Sequence, residues 1–528
     1  MTTAKRRSPW EIATGALLAV FAFLILFTFR AYGVTVDEKH SHQNGQYFID
    51  WYTSGFQNRA IVDEGNQRLY GSFFNAISAF IADHSPLGLY ETGHLVIAIS
   101  SLIGVVFAYL LGKRLAGPMA GFFSAALLLL TPVYYGHSFM NPKDIPFAAL
   151  FLASVYFLVL TFDWLPRLGF KRILTLGLVI GLTLGIRVGA VMLFGYLAVV
   201  VLLWLMTNRR KEDLKAAIVS CIGVGVVAWI VMLIWWPYGQ LSPILNPLRG
   251  LRRAANFTDY DAKALYRGQF IRSDSLPWDY LPTWFSITLP EFYAVILGVG
   301  LVALIVRFIR RSQSPFESHQ TARIIFLVFA TVFPLATAMV MHPILYDGNR
   351  HFLFIIPPLA VLAGVTLSWL MSGGFPRALK LAVSGVVLAI GLITAADMIR
   401  LHPYEYIFFN RSFGGVRAAL GRYETDYWGV SHKEGVDWLI ANYKLTAPPR
   451  SIRVANTAAD YQTSYYLDEN RESAARFVPV GKRENPDVML SITRFDVHLL
   501  YPGRVLHVVR RMDTPLLYVT ELTSETRR

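Results

Sequence analysis

Long runs of apolar residues dominate the chain up to about residue 400 and predict membrane-spanning helices. A helix needs about 20 mostly apolar residues to cross the hydrocarbon core of a bilayer. The pattern predicts about eleven transmembrane helices, near residues 11–33, 94–112, 118–135, 145–162, 172–187, 188–207, 214–236, 290–310, 322–341, 352–371 and 378–399. The apolar stretch 172–207 is too long for one crossing, so we divide it at Arg187-Val188-Gly189.

The segments between and after these runs are polar and predict two long loops and one soluble domain. Residues 34–93 and 237–289 mix polar and aromatic residues, as helices at a membrane interface do. Residues after 400 show short strand-like runs and one helical stretch, at Ser451–Ala455, 458–467, Val488–Ile492, Val505–Arg510 and Leu516–Glu521. We therefore predict a transmembrane module over 1–400 and a small soluble α/β domain over 401–528.

Composition and charge support a polytopic α-helical membrane protein. The 528 residues are 54% hydrophobic and 16% charged, whereas soluble proteins are nearer a quarter charged. The net charge of +14 does not indicate nucleic acid, because Lys and Arg concentrate in alternate loops, at 5–7, 113–114, 167–172, 209–211, 307–311 and 377–380. The positive-inside rule makes these loops cytoplasmic. The N-terminus is then cytoplasmic, and residues 34–93, 237–289 and 401–528 are extracytoplasmic.

An acidic pair, Asp37-Glu38, follows the first predicted span directly. A carboxylate at this depth suits a general base acting on an alcohol, and the two together suit a divalent cation such as Mg²⁺ or Mn²⁺. The alternative is an ordinary solvated pair at a helix end.

Two further positions combine charge with a place at the outer end of a span. The loop Tyr134–Pro146 contains His137, Lys143 and Asp144, and Lys143 is suited to hold a phosphate. Asp144 also reads as a helix-start residue. Arg187 lies at membrane depth, where a charged group is a functional candidate or else extends to the interface.

The tract Met341–Phe352 concentrates charged and imidazole groups in another short outer loop. Arg350 is suited to clamp a phosphate, although Asp347 offers it a purely structural partner. His342 and His351 lack an evident third ligand for zinc, and the single cysteine, Cys221, provides neither a disulfide nor a Cys-based metal site.

All these residues fall in outer loops, so one cavity at the outer membrane surface can collect them. Carboxylates beside several cations suit a reaction with an anionic leaving group. A phosphate-linked lipid carrier presents such a group at this depth.

The motifs, in their order along the chain, resemble the polyprenyl-phosphate-dependent glycosyltransferases of the GT-C fold. The resemblance is to bacterial relatives of the dolichyl-phosphate-mannose–protein mannosyltransferases. It is carried by Asp37-Glu38, Asn141–Phe147, Tyr346–Phe352 before Pro357-Pro358, His402–Tyr406 and Arg422–Gly429.

This resemblance implies an inverting transfer of a hexose or pentose from a polyprenyl-phosphate donor on the extracytoplasmic side. Asp37 would be the general base, with Glu38 beside it, and Lys143, Arg187 and Arg350 would stabilise the departing phosphate. The supporting residues would be His137, Asp144, Asp347 and His351. No long outer insertion that could hold a β-trefoil module is evident, so the acceptor can be a glycan or a lipid as well as a protein.

A transporter or lipid flippase of the cell envelope is the main alternative. Transporters carry charged residues near mid-membrane, on broken helices in repeated halves. Here the polar groups lie in outer loops, and the two halves do not look alike. The compact chain is typical of a bacterial inner membrane. A transferase requires Asp37, Lys143 and Arg350 to converge at one outer cavity, whereas a transporter requires a polar path through the bilayer.

Overall fold

Nine helical segments are long and apolar enough to cross a membrane, counted over the described residues. The computed structural model describes residues 8–208, 213–255, 263–310, 318–443, 451–469 and 476–523. The nine are Pro9–Ala31, Leu89–Leu129, Asp144–Trp164, Val188–Asn208, Leu214–Ile234, Phe292–Ile309, His319–Met341, Arg350–Ser372 and Arg377–Leu401. The basic residues predicted at 5–7, 209–211 and 311 lie outside the described residues.

The eleven predicted runs and the nine segments describe the same helices. Leu89–Leu129 contains two of the predicted runs, 94–112 and 118–135. The run 172–187 corresponds to a helix at Phe170–Leu184, whose 15 residues are short for a full crossing. The division at Arg187 is observed, because this residue is extended between two helical segments.

The helices of the transmembrane module, with those of the outer loops, are α1 to α17. They are α1 Pro9–Thr28, α2 Glu38–Thr53, α3 Ala60–Asp63, α4 Phe73–Asp83, α5 Leu89–Leu129, α6 Pro132–Met140, α7 Asp144–Trp164, α8 Phe170–Leu184, α9 Met192–Asn208, α10 Leu214–Ile234, α11 Pro237–Leu241, α12 Leu245–Ala255, α13 Tyr280–Thr288, α14 Phe292–Ile309, α15 Ser318–Met341, α16 Ile356–Ser372 and α17 Arg377–Leu401. A two-stranded antiparallel hairpin, β1 Lys263–Tyr266 and β2 Gln269–Arg272, precedes α13.

Helix α5 is a tight antiparallel hairpin rather than one long rod. Ala116 and Gly117 leave helical geometry, and Gly117 has φ of +86°, which glycine adopts readily. The two halves touch closely, because a Cβ on Gly112 would lie 2.4 Å from Ser124 Oγ. The turn therefore separates two crossings at the predicted loop.

Ion pairs join the ends of several spans on one face of the bundle. Lys113 Nζ lies 2.6 Å from Glu11 Oε1, while Arg114 and Arg323 both contact Asp163. Asp163 is near the end of α7, and Asp144 begins it, about 30 Å away at 1.5 Å per residue. The face rich in Lys and Arg is thus opposite to the face that carries the predicted site residues.

The C-terminal region contains a five-stranded sheet covered by helices. Its order is β4-β3-β5-β7-β6; β3 is parallel to β4 and β5, and β7 is antiparallel to β5 and β6. The elements are α18 Gly415–Ala419, α19 His432–Asn442, β3 Ile452–Asn456, α20 Tyr461–Glu469, β4 Phe477–Pro479, β5 Val488–Ile492, β6 Gly503–Arg511 and β7 Thr514–Leu522. Each strand-like run predicted from the sequence coincides with one of these strands.

Residues between α17 and α19 pack against the transmembrane module. Tyr32 donates a hydrogen bond of 3.0 Å to Glu405, and Asn410 Nδ2 donates to the carbonyls of Ser286 and Leu289. The sheet is consequently joined to the outer end of the bundle through a packed connection. The boundary at residue 401 stays a prediction.

Candidate active site

Asp37 lies where the chain leaves the first span, immediately before α2. Its side chain is 28% exposed, and its Oδ2 is 3.6 Å from a terminal nitrogen of Arg350. Burial by itself raises the pKa of this carboxyl, but the charges of Lys143, Arg350 and Arg187 outweigh burial and hold the pKa below its usual value. Asp37 is therefore an ionised carboxylate facing a group of cations.

Glu38 faces away from those cations. Its Oε1 accepts a hydrogen bond of 2.8 Å from the Thr35 amide, so this amide next to the start of α2 has a partner. Its Oε2 is 2.9 Å from His94 Nε2. Neighbouring residues of a helix point in directions about 100° apart. No group of three or more His, Cys, Asp or Glu side chains suited to a metal occurs in the described part of the chain. The two carboxylates of the acidic pair are thus directed at different partners, Asp37 at Arg350 and Glu38 at His94.

The start of α7 is built around Asn141. Its Oδ1 accepts hydrogen bonds from the amides of Lys143 and Asp144, and its Nδ2 donates to Asp144 Oδ2 over 2.9 Å. Asp144 is buried and contacts Arg187 directly, and Arg350 lies 3.7 Å from its second oxygen. Asp144 thus begins a helix, as predicted, and also orients two of the predicted cations.

Lys143 differs from the arginines of the site because it forms no ion pair with any residue that the structure describes. Its ammonium lies 5.1 Å from the centre of the Tyr70 ring, within the range of a cation–π contact. Its charge acts on Asp37. Of the predicted phosphate-binding cations, Lys143 is the one whose hydrogen-bonding capacity is least committed to protein carboxylates.

Arg350 is the most constrained cation of the site. Its Nε and one terminal nitrogen each lie 2.9 Å from Asp347 Oδ2, and its other terminal nitrogen is directed at Asp37 and Asp144. The rings of Tyr346 and Trp428 lie 4.9 and 5.0 Å from its guanidinium carbon. Only a planar guanidinium can combine these ionic and stacking contacts.

Two site residues were not singled out from the sequence. Arg494, which follows strand β5, contacts Asp347 directly, and its Nε is 3.6 Å from Glu424. Burial, against the opposing charge of Arg494, raises the pKa of Glu424 to about 7. Arg494 carries a weak sequence signal, a charge two residues after a mainly apolar strand. Glu424 belongs to the tract Arg422–Gly429, to which no role was assigned.

The two histidines predicted to support the site both contact tyrosine side chains. His137 is fully buried on α6, with Nε2 2.9 Å from the Tyr427 hydroxyl and Nδ1 3.2 Å from Asn141 Nδ2. Burial, and then the charge of Arg350, lowers the pKa of His137 to about 3, so it is neutral at ordinary pH. His351 packs edge-on against Tyr346.

A mainly apolar cavity of about 440 Å³ adjoins these charges. Residues of α9, α15 and the tract 341–354 line it, among them Met192, Phe333 and Phe354. Its polar lining includes Arg187 itself and His351. It also includes Tyr70 and Tyr346, whose rings contact Lys143 and Arg350. Asp37, Lys143 and Arg350 therefore converge at one outer site beside an apolar cavity, as the transferase hypothesis requires.

A known protein family matches part of this chain. Residues 71–236, less than half of the chain, match the family model described as dolichyl-phosphate-mannose-protein mannosyltransferase. A search of curated proteins finds no match.

Two solved structures of one protein share the fold over nearly the whole chain. ArnT from Cupriavidus metallidurans, in the apo state, is 14% identical with a TM-score of 0.50, and the alignment covers 98% of each chain. The same protein bound to undecaprenyl phosphate is also 14% identical with a TM-score of 0.50, covering 97% of this chain and 98% of that one. The oligosaccharyltransferase AglB from Archaeoglobus fulgidus, in complex with an inhibitory peptide and a dolichol-phosphate, is 12% identical with a TM-score of 0.48, covering 92% and 69%.

The resemblance carried by the motifs is thus confirmed: this multi-pass membrane protein has the GT-C fold, and its residues 71–236 match the dolichyl-phosphate-mannose–protein mannosyltransferase family.

Proposed function

We propose that this chain is an integral membrane glycosyltransferase that moves a sugar from a polyprenyl-phosphate carrier to an acceptor outside the cytoplasm. The observation that carries the proposal is the placement of Asp37 against Arg350, near Lys143 and Arg187, beside an apolar cavity. The bilayer supplies a lipid donor directly to a cavity of this kind.

In the reaction, the acceptor hydroxyl attacks the anomeric carbon of the sugar while its proton passes to Asp37. The bond between that carbon and the phosphate oxygen breaks, so the lipid leaves as polyprenyl phosphate and the configuration inverts. Asp37 is ionised and can accept the proton, although its low pKa makes it a weak base. Its main contribution is then to orient the acceptor and to take the proton as the new bond forms.

Lys143, Arg187 and Arg350 are the proposed groups that stabilise the departing phosphate. Positive charge fixed in advance at the place where negative charge develops lowers the barrier without reorganisation. The existing ion pairs of Arg187 and Arg350 hold their guanidinium groups in place, whereas Lys143 is available for a direct contact. In this proposal the two arginines supply fixed positive charge near the departing phosphate, and the lysine binds the phosphate directly.

We propose that the acceptor is a glycan, a lipid or a protein; a second, arginine-lined cavity supports an acceptor that carries negative charge. A second cavity, of about 550 Å³, is lined by Arg68, Arg249, Arg252, Arg253 and Tyr238. Leu69 borders both this cavity and the apolar one. The transferred sugar is a hexose or a pentose, and the proposed location is a bacterial inner membrane.

The test uses purified protein in detergent, a panel of radiolabelled polyprenyl-phosphate sugars and crude cell envelope as acceptor. We expect Asp37→Asn to lower release of the lipid phosphate by roughly 100-fold or more while donor binding persists. Lys143→Ala should instead weaken donor binding, because it removes a cation and not the base.

Asp63→Asn is the matched control, since Asp63 belongs to the same outer loop and forms an exposed pair with Arg59. It should leave release unchanged. Full release by Asp37→Asn would contradict the proposed role of this carboxylate. Absence of release from every donor would contradict the transferase assignment itself.

A further inference from the structure

The C-terminal domain contacts both chain segments that meet at the active site. The first contact is made by α20 on the residues just before Asp37. Gln462 Nε2 donates a hydrogen bond of 2.6 Å to the Val34 carbonyl, and the Val34 amide donates one of 2.8 Å to the Tyr466 hydroxyl. The Tyr461 hydroxyl donates a hydrogen bond of 2.5 Å to the Thr35 carbonyl. The backbone that presents Asp37 is therefore held by the soluble domain.

The second contact is made by Arg494 on the tract that presents Arg350. The Arg494 side chain is 10% exposed and contacts Asp347 Oδ1, which is itself buried. The same guanidinium donates a hydrogen bond of 2.8 Å to the Tyr427 carbonyl, and its Nε lies 3.6 Å from Glu424 Oε1. Arg494 is thus fixed from several directions within the region 422–494.

Asp347 connects this guanidinium to the second one. One of its oxygens contacts Arg494 and the other lies 2.9 Å from Arg350. Arg350 in turn lies 3.6 Å from Asp37. A continuous series of ionic contacts therefore runs from Arg494, two residues after β5, to the proposed base.

We propose that Arg494 is a positioning residue for the transfer reaction: by holding Asp347 it fixes the orientation of Arg350 against Asp37. The C-terminal domain then sets the spacing of the reacting groups through α20 on one segment and Arg494 on the other. This inference rests on the proposed function for its kinetic consequence. Its structural consequence, the ordering of the tract 344–352, is independent of any reaction.

An arginine is required at this place for geometric reasons. One flat group reaches the Asp347 carboxylate and the Tyr427 carbonyl at the same time, whereas a lysine ammonium is a single point charge. Arg494→Lys should retain the charge and lose part of the orientation. Arg494→Gln should lose both.

The experiment measures hydrogen–deuterium exchange and transfer kinetics on the same full-length protein in detergent. For Arg494→Gln we expect exchange of the peptide 344–352 to be roughly tenfold faster, while strands β5 and β7 keep their protection. We expect kcat to fall by roughly 10- to 100-fold with a smaller change in donor KM, because Lys143 is positioned against Tyr70 and Arg187 against Asp144. Arg494→Lys should give intermediate values and serves as the folded variant if the glutamine variant is unstable.

Arg504→Gln is the matched control, because Arg504 forms its pair with Glu521 inside the C-terminal domain and is 73% exposed. It should change neither readout. Unchanged exchange at 344–352 in Arg494→Gln would overturn the inference, as would faster exchange with unchanged kcat. Failure of the wild type to release any lipid phosphate, with exchange behaving as expected, would count against the proposed function and leave the ordering role supported.

Discussion

Buried charge at the outer end of this bundle is organised by paired carboxylates and guanidinium groups. Asp144 and Asp347 are each about 3% exposed at the side chain, and each is shared between two arginines. Unpaired, such carboxylates would be costly to bury, and removing one partner typically costs 3–5 kcal/mol. Glu424 is not shared between two arginines in this way. Its neighbour Arg494 is 3.6 Å away and is directed mainly at Asp347.

The raised pKa of Glu424 predicts how stability depends on pH. The folded protein holds this proton up to a pKa of about 7, whereas the ordinary value is 4.5. The contribution of this bound proton to the stability of the folded protein is therefore fully present below pH 4.5 and is lost as the pH rises through 7. Glu424→Gln should raise the free energy of unfolding above pH 7, by up to about 3 kcal/mol, and should leave it nearly unchanged near pH 4.5.

Thermal unfolding in detergent across pH 4.5 to 8 measures this difference. Glu484→Gln, at an exposed position of the same domain, should show no pH-dependent difference from the wild type. If the unfolding temperature of Glu424→Gln differed from that of the wild type by the same amount at every pH, Glu424 would not titrate in this range.

At the scale of elements, close helix contacts depend on glycines placed where two helices meet. In the α5 hairpin, Gly112 and Gly121 let the two crossings approach, and Gly364 of α16 lies against Ser124 in the same way. A membrane offers no hydrophobic driving force between helices, so association depends on such close packing. The turn at Ala116-Gly117 was predictable from its Lys and Arg, but the contact between the crossings was not.

Gly112→Ala should destabilise the hairpin. The added Cβ would lie 2.4 Å from Ser124 Oγ and 2.9 Å from the Ala120 carbonyl, and overpacking of this kind costs about 1–3 kcal/mol. The measurement is the midpoint of thermal unfolding in detergent. Gly225→Ala is the control, since its Cβ meets nothing within 4 Å and alanine favours a helix; equal midpoints for the two variants would contradict the packing argument.

At the scale of the whole molecule, the site and the C-terminal domain lie on one face of the bundle. The ion pairs Glu11–Lys113 and Arg114–Asp163 lie on the other face. The positive-inside rule assigns the second face to the cytoplasm. We therefore propose that the reaction is extracytoplasmic; the C-terminal domain, which holds the active-site segments, lies on the same face of the bundle as the site.

Labelling of single cysteines tests this orientation. In a Cys221→Ser background, Asp513→Cys, in the turn between β6 and β7, should react with a membrane-impermeant maleimide in spheroplasts. Gly374→Cys, between α16 and α17, should react only after permeabilisation. Both positions are exposed, so the reverse pattern would invert the topology.

The local pattern of residues determined where the spans lie, which loops are basic and where the acidic and basic motifs occur. An apolar run long enough to cross a bilayer has to satisfy its backbone as a helix there, and this requirement is readable from a single window of sequence. Four of the five strands of the C-terminal sheet were predictable for a similar reason, because short β-branched runs between turn residues favour strands. Strand β4, Phe477–Pro479, has only three residues and was not predicted.

Only the tertiary structure decided which of these groups act together. It directed Asp37 towards Arg350 and Glu38 towards His94, a distinction between adjacent residues that depends on how α2 is rotated. It also brought Arg494 to Asp347 across 147 residues. Side-chain direction and contacts between distant segments arise from the packing of whole elements, and no local window of sequence contains them.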